Sequence, residues 1–267
     1  MLQPRVAVLS ILFPHPGQPN AGVFIRERMF RVAERLPLFV VAPQPWFPLQ
    51  GLIRRFRPHF RPPAPIREQQ AGVDVFHPRF LSVPGFLKRL DGWLLARACL
   101  PLLRRQSARF DIIDAHFAYP DGYAAALLGK WLDKPVTITL RGTEVPIARD
   151  PKRRRLMLRA LARARKVFSV SDSLRRHVAS LGADPGKIEV VGNGVDLEKF
   201  VPAPREEARA RFGLAAGASV LVSVGALVER KGFHRVIELL PALRQRFPGL
   251  RYLAVGGGGP EGDMSGE

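Results

Sequence analysis

The chain has 267 residues, of which 46% are hydrophobic, and this is enough sequence for one large globular domain or two modest ones. Its 42 Lys and Arg residues against 23 Asp and Glu residues give a formal net charge of +19. Such a charge attracts nucleic acid, anionic lipid or an anionic substrate, although an arginine-rich composition alone explains it equally well. Because Cys99 is the single cysteine, an internal disulfide and a thiolate metal site are both excluded.

The first third of the chain begins with an apolar run at 6–13, which predicts a buried parallel strand. Pro14-His15-Pro16 interrupts this run, so a strand is favoured over a signal peptide. A loop rich in proline and glycine continues to Gly22. The segments that follow are a helix at 23–36, a strand at 38–42, a long loop rich in proline and arginine at 43–70, and a short strand at 73–78.

Residues 86–110 have the apolar spacing of an amphipathic helix. The predicted apolar face consists of Leu87, Leu90, Leu94, Leu95, Ala98 and Leu102. Pro101 is expected to kink or divide this helix, because proline removes a backbone donor.

Strands and helices then alternate, which predicts an α/β fold with one doubly wound parallel sheet covered by helices on both faces. The predicted strands are 111–116, 135–140, 166–170 and 188–191, and the predicted helices are 121–132, 151–165 and 173–181. We therefore expect an N-terminal domain at 1–200 and a linker with a short helix at 201–218. The sequence of residues 219–267 predicts two strands and one helix, which form the incomplete start of a second Rossmann-like domain. So few elements cannot form a hydrophobic core of their own, and we therefore expect the rest of that domain to be missing.

Candidate site residues of the first domain stand where predicted strands end. Ligands of open parallel sheets bind at the carboxyl ends of the strands. Gly22 closes the first loop, His116 ends a strand, and Arg141-Gly142-Thr143-Glu144 follows another. The structural alternatives are a plain turn, a hydrogen-bonded core histidine and a helix capped by Thr143.

In the second part of the chain, Arg230-Lys231-Gly232 lies between a short apolar strand and a helix, where a cation can meet a phosphate. A solvated basic turn is the structural alternative. Asn193-Gly194-Val195-Asp196 is a turn that closes an α/β unit. The cluster at 257–262 formally matches G-x-G-x-x-G, but this match is weak without an acidic residue further on.

Neither a metal site nor a nucleic-acid-binding motif is apparent in the sequence. We find no cluster of metal-ligating residue types. The basic segments 54–61 and 152–165 contain few aromatic residues, whereas nucleic-acid-binding surfaces usually combine the two. Nucleic acid is therefore an unlikely partner, and a solvated face or contact with anionic lipid is favoured.

The ordered set of motifs resembles the retaining glycosyltransferase family four, which has the two-domain GT-B fold. The resemblance covers nearly the whole chain. The segments that carry it are Phe13-Pro14 through Gly22-Val23-Phe24, Phe110 to His116, Tyr119-Pro120-Asp121-Gly122, Arg141 to Glu144, Val170 to Leu174, Val191 to Asp196 with Phe200, Val224-Gly225-Ala226-Leu227, Arg230-Lys231-Gly232, and Val255 with the glycines after it.

The resemblance implies transfer of a sugar, of hexosyltransferase type, from a nucleotide-sugar donor to a glycan or lipid-linked acceptor. It implies retention at the anomeric carbon and neither a cofactor nor a metal. The implied catalytic residues are His116, Arg141 and Glu144; the implied donor-binding residues are Gly22, Arg230, Lys231 and Gly257; the implied acceptor or hinge residues are Tyr119, Asp121 and Asn193. The basic surface and the amphipathic segment 86–110 add the expectation of a cytoplasmic protein at the inner face of an anionic membrane.

The chain departs from the pattern of the family in three ways. Ala226 stands where an arginine is frequent, and Arg141 stands where a histidine is frequent. The Glu-x7-Glu segment of the family would lie beyond Glu267, so we expect little or no transfer activity from these 267 residues.

Two other classes of function remain open. One is a non-catalytic basic protein that binds polyanions or nucleic acid. Its affinity would fall steeply with salt, and a nucleoside diphosphate would not compete. The other is a different GT-B enzyme, such as a sugar phosphorylase or an epimerase, which a requirement for phosphate instead of nucleotide would reveal.

Overall fold

The computed structural model describes residues 3–57 and 60–258. It divides into two compact units, residues 1–194 and residues 195–267, here called unit 1 and unit 2. The division falls at Gly194, within the turn that the sequence places between two α/β segments.

Unit 1 alternates strands and helices, as predicted. Its strands are β1 (Val6–Leu9), β2 (Leu38–Val41), β3 (Gln44–Trp46), β4 (Arg67–Gln70), β5 (Val73–Phe76), β6 (Arg79–Leu81), β7 (Ile112–His116), β8 (Val136–Leu140), β9 (Lys166–Ser169) and β10 (Ile188–Val190). Its α-helices are α1 (Val23–Ala33), α2 (Gln50–Phe56), α3 (Asp91–Arg105), α4 (Tyr123–Leu132), α5 (Glu144–Ala148), α6 (Pro151–Arg163) and α7 (Asp172–Ser180). Single 3-10 turns occupy 88–90, 107–109 and 185–187.

Eight of these strands form one sheet in the order β10-β9-β8-β7-β1-β2-β5-β4. All neighbours are parallel except β4, which pairs antiparallel with β5 at the edge. β3 and β6 form a separate two-stranded parallel sheet. A mostly parallel sheet needs helices on both faces, and the sequence predicts that arrangement correctly.

Two apolar clusters cover the two faces of the sheet. Helices α3, α4, α6 and α7 pack on one face, and the buried Cys99 lies in that cluster, where burial raises the pKa of its thiol. On the other face, α1 packs its Ile25 and Met29 against Val8 and Val40. The strands are short and apolar because both of their faces are buried.

The prediction of a long loop at 43–70 is wrong. This segment contains β3, α2 and β4, and the strand β6 follows the predicted short strand. Composition is misleading here because β4 is a charged edge strand, Arg-Glu-Gln-Gln, held by backbone bonds to β5. Part of the basic segment 54–61, residues 58–59, lies outside the described residues.

The predicted apolar face of 86–110 is also partly wrong. Leu87 and Leu90 precede α3 and are 45% and 40% exposed. The helix runs through Pro101 without division, and its buried side chains include Leu95, Cys99 and Leu103. The buried face therefore differs from the predicted one, because α3 packs against α4 and β6.

Unit 2 contains the helix α8 (Arg205–Arg211), the strand β11 (Val220–Val224), a 3-10 turn at 229–231, the helix α9 (Phe233–Arg246) and the strand β12 (Arg251–Val255). β11 and β12 pair in parallel over five residues each. The predicted strand–helix–strand order and the short helix in 201–218 are confirmed. In the described part of the chain, no helix is both long and apolar enough to span a bilayer.

Candidate active site

The loop after β1 is fixed by close backbone contacts. β1 ends at Leu9, four residues earlier than predicted, because Ile11 donates its N–H to the Asp121 carboxylate, 2.6 Å away, and leaves the sheet. Gly22 has φ 69°, and a Cβ added there would lie 2.2 Å from the carbonyl oxygen of Leu12. Only glycine fits this contact, so the loop holds the start of α1 against the carboxyl end of β1.

His116 ends β7 and is fully buried. Its Nδ1 accepts a hydrogen bond from Nε of Arg141, 3.1 Å away, so the proton of the neutral ring is on Nε2. Nε2 lies 3.6 Å from Oδ2 of Asp114, which is too far for a hydrogen bond. Burial, Arg141 and Arg28 hold the pKa of His116 well below its usual range, so the imidazole is neutral at physiological pH.

Arg141 follows β8 and is fixed on three sides. Besides His116, it contacts the Asn193 side-chain oxygen through Nη1 at 3.2 Å, and its guanidinium lies 5.2 Å from the ring centre of Phe24. Burial and the nearby charge of Arg28 lower the pKa of Arg141 to about 10, so it stays cationic at neutral pH. The structure thus brings together three of the predicted site residues, His116, Arg141 and Asn193.

Glu144 is fully buried at the start of α5. Its Oε1 accepts from Ala118 N at 3.0 Å, and its Oε2 accepts from the N–H groups of Arg141 and Gly142 at 3.2 and 2.8 Å. These bonds tie the loop after β7 to the loop after β8. The carboxylate thereby holds the turn that presents Arg141.

Tyr119 and Asp121 also lie in the interior of unit 1. The Tyr119 hydroxyl donates to the carbonyl of Lys88 at 2.6 Å, and burial raises the pKa of this phenol. Burial raises the pKa of Asp121 to about 8. Each residue connects the turn after β7 to another loop, so their described contacts are to the protein scaffold.

In unit 2, Lys231 extends over the end of β11. A Cβ added at Gly225 would lie 3.7 Å from Cε of Lys231, and one at Gly256 would lie 1.7 Å from the carbonyl oxygen of Gly225. The N–H of Leu227 bonds to the carbonyl of Gly257 at 2.8 Å. The ends of β11 and β12 therefore form a tight glycine-lined corner beside an exposed lysine and its neighbour Arg230. Residues 259–262 of the glycine cluster lie outside the described residues.

Sequence reasoning misses three residues at the site in unit 1: Phe24, Arg28 and Asp114. Asp114 precedes His116 by two residues in β7, so both side chains point to the same face of the sheet. Side chains alternate along a strand with a period of two, so the sequence position of Asp114 relative to His116 is enough to identify it as a site residue. Phe24 and Arg28 belong to α1, and only the packing of this helix on the sheet brings them to the site.

Both the family model and the curated relatives that match this chain are glycosyltransferases. Residues 51–199, more than half of the chain, match the family described as Glycosyltransferase Family 4. The "Putative teichuronic acid biosynthesis glycosyltransferase TuaC" of Bacillus subtilis (strain 168) is 28% identical over 250 residues, which cover 90% of this chain and 63% of that protein. The D-inositol 3-phosphate glycosyltransferase of Nocardia farcinica is 33% identical over 284 residues, covering 95% of this chain and 58% of that protein.

Among solved structures, Anabaena Alr3699/HepE in complex with UDP and glucose aligns with a TM-score of 0.62 at 18% identity, covering 96% of this chain and 62% of that chain. At this identity the likeness concerns the fold alone, and it confirms the predicted GT-B-like α/β fold. The chain spans about three fifths of the relatives that it matches.

Proposed function

We propose that this chain, which belongs to Glycosyltransferase Family 4, takes part in the transfer of a sugar from a nucleotide-sugar donor to an acceptor. The observation that carries this proposal is the corner of Gly225, Gly256 and Lys231 in unit 2. Because glycine has no side chain, a diphosphate can approach the backbone of Gly225 and Gly256 closely, and the adjacent ammonium group of Lys231 neutralises part of its charge.

In this proposal Lys231 stabilises the diphosphate leaving group as the bond to the sugar breaks. Arg230, in the same turn, and the backbone at Gly257 contribute to the donor site. Because these residues supply the positive charge, the reaction as we propose it uses neither a metal nor another cofactor. We also propose that the anomeric configuration is retained, as the resemblance to the family implies.

We propose separate roles for the residues of unit 1. Gly22 admits the donor diphosphate to the loop after β1, and His116 and Arg141 line the pocket of the sugar or the acceptor. Glu144, Tyr119 and Asp121 act as positioning residues, because their polar atoms bond to the scaffold. A hexose donor and a glycan or lipid-linked acceptor fit relatives whose names refer to teichuronic acid biosynthesis and to D-inositol 3-phosphate.

We further propose that the protein associates with an anionic membrane through α2. Leu49, Leu52 and Phe56 are 79%, 53% and 82% exposed, and their spacing places them on one side of the helix. The exposed Arg55 and Arg57 stand beside this apolar side. Apolar side chains flanked by arginines are typical of interfacial helices on anionic lipid. Six residues of α3 are buried in unit 1, so the amphipathic segment 86–110 offers only part of its surface to a membrane.

Calorimetric titration with UDP, GDP and ADP tests the donor site. We expect saturable binding of at least one of these nucleotides and a loss of at least about tenfold in affinity for Lys231→Ala, because a charge-assisted contact to phosphate disappears. Lys152→Ala removes the same charge from an exposed position in unit 1 and serves as the control. Equal binding by both variants, or no binding of any nucleotide, would contradict the proposal.

One observation favours a second candidate, binding of a polyanion. A cavity of about 520 Å³ near the amino ends of β8 and β9 is lined by Lys130, Lys134, Arg163, Arg165 and Lys187 and by no acidic residue. Binding there would weaken steeply with salt and would not depend on Lys231.

A further inference from the structure

Two guanidinium groups, of Arg28 and Arg141, converge beside His116 in unit 1. Each has a buried nitrogen without a hydrogen-bond acceptor among the described residues, Nη1 of Arg28 and Nη2 of Arg141. Nε2 of His116 lacks an acceptor too. The two arginines are close enough for the charge of Arg28 to lower the pKa of Arg141. These three buried atoms without a partner are all donors.

The nearby carboxylates do not satisfy these donors. Oδ1 of Asp114 accepts from the Thr137 hydroxyl at 2.6 Å, and Oδ2 lies 3.6 Å from Nε2 of His116, which is too far for a hydrogen bond. Glu144 is occupied by three backbone N–H groups. In the described part of the chain neither carboxylate is hydrogen-bonded to the guanidinium of Arg28 or Arg141. A buried donor without a partner lowers the stability of the folded state, and a charged donor lowers it more. An acceptor from outside the chain would remove this cost.

The geometry of Arg141 is suited to receive such an acceptor. Its Nε and Nη1 are held by His116 and Asn193, and Phe24 packs against its plane. The guanidinium is thus fixed before any ligand arrives, and Nη2 remains available. A fixed planar guanidinium binds carboxylate and phosphate oxygens better than it binds neutral hydroxyls.

We infer that Arg28 and Arg141, with His116 beside them, bind an anionic group, a carboxylate or a phosphate, that one of the two substrates carries. This inference rests on the proposed function and narrows its substrate class: either the transferred sugar or the acceptor is charged. A carboxylate would belong to a donor sugar of the uronic acid type, and a phosphate would belong to a phosphorylated acceptor.

Paired titrations test the inference and separate the two sources. UDP-glucuronate is compared with UDP-glucose for the donor, and glucose 6-phosphate is compared with glucose for the acceptor. We expect the charged member of one pair to bind at least about tenfold more tightly than the neutral member. The pair that shows this preference identifies the substrate with the anionic group.

Arg28→Gln and Arg141→Gln should each reduce that preference by at least about tenfold. Arg105→Gln is the matched control, because Arg105 is exposed at the end of α3, before the amino end of β7. Arg141→Lys, which retains the charge without the planar fork, should keep part of the preference and guards against loss of folding as the cause.

Equal affinities within both pairs would overturn the inference, and so would arginine variants that behave like Arg105→Gln. The proposed function would survive that result if nucleotide binding still depended on Lys231. Loss of nucleotide binding altogether would instead count against the proposed function.

Discussion

Buried ionisable side chains hold the loops of unit 1 in place. Asp121 bonds the N–H of Ile11, and Glu144 bonds those of Ala118, Arg141 and Gly142. Both residues connect loops that follow different strands of the sheet. The carboxyl ends of the strands are thus joined by side chains that cannot be moved without leaving a backbone donor unpaired.

Asp121 should make the stability of the protein depend on pH. Its folded pKa is about 8, whereas an unfolded aspartate has a pKa of about 3.9. Between these values the folded state keeps a proton that the unfolded state has lost, so stability falls as pH rises. From about pH 6.5 to about pH 8.5 we expect a loss of roughly 2 kcal/mol, or a few degrees in Tm.

The change from Asp121 to Asn should flatten this dependence, because the amide oxygen can still accept from Ile11 and does not titrate. Thermal unfolding of both proteins across the same pH range measures the difference. Asp133→Asn, at an exposed position after α4, is the control and should follow the wild-type curve. A slope in Asp121→Asn equal to that of the wild type would show that another group titrates.

At the level of elements, α2 carries the proposed contact with the membrane. Leu52→Glu or Phe56→Glu places a charge on its apolar side, and we expect at least about a tenfold loss of binding to vesicles that contain anionic lipid. Co-sedimentation measures this binding. Leu239→Glu adds the same charge at an exposed leucine of α9 in unit 2 and should not change it.

Two results would count against the role of α2. One is equal binding to vesicles of purely neutral lipid, because the arginines would then contribute nothing. The other is unchanged binding by both α2 variants. Self-association that disappears in Phe56→Glu without any vesicle binding would assign the surface to a second copy of the chain.

The sequence predicts the buried elements well and the exposed ones poorly. β1, β7 and β8 are apolar runs that end at polar residues, so hydrophobicity alone locates them and the candidates at their ends. β4 and α2 are charged or exposed, and only their pairing or position in the tertiary structure defines them. The sequence does not identify Arg28 as a site residue for the same reason. Arg28 lies on the polar side of α1, and its role depends on where that helix packs.

At the scale of the whole molecule, positive charge is not confined to one site. Basic side chains line the corner at Lys231, the cluster of Arg28 and Arg141, and the cavity of Lys130, Lys134 and Arg165. The net charge of +19 raises the local concentration of any anion, so affinity for a nucleotide alone does not identify its site. The position at which the nucleotide binds is therefore the decisive observation.

Mapping of amide chemical shifts during a titration with UDP tests the donor site most directly. We expect saturable shifts at Gly225, Lys231, Gly232 and Gly256 in unit 2, which persist at physiological salt. We expect no comparable shifts at Lys130 and Lys134. Shifts confined to that basic cavity and abolished by salt would contradict a donor site at Lys231 and would favour a polyanion-binding protein.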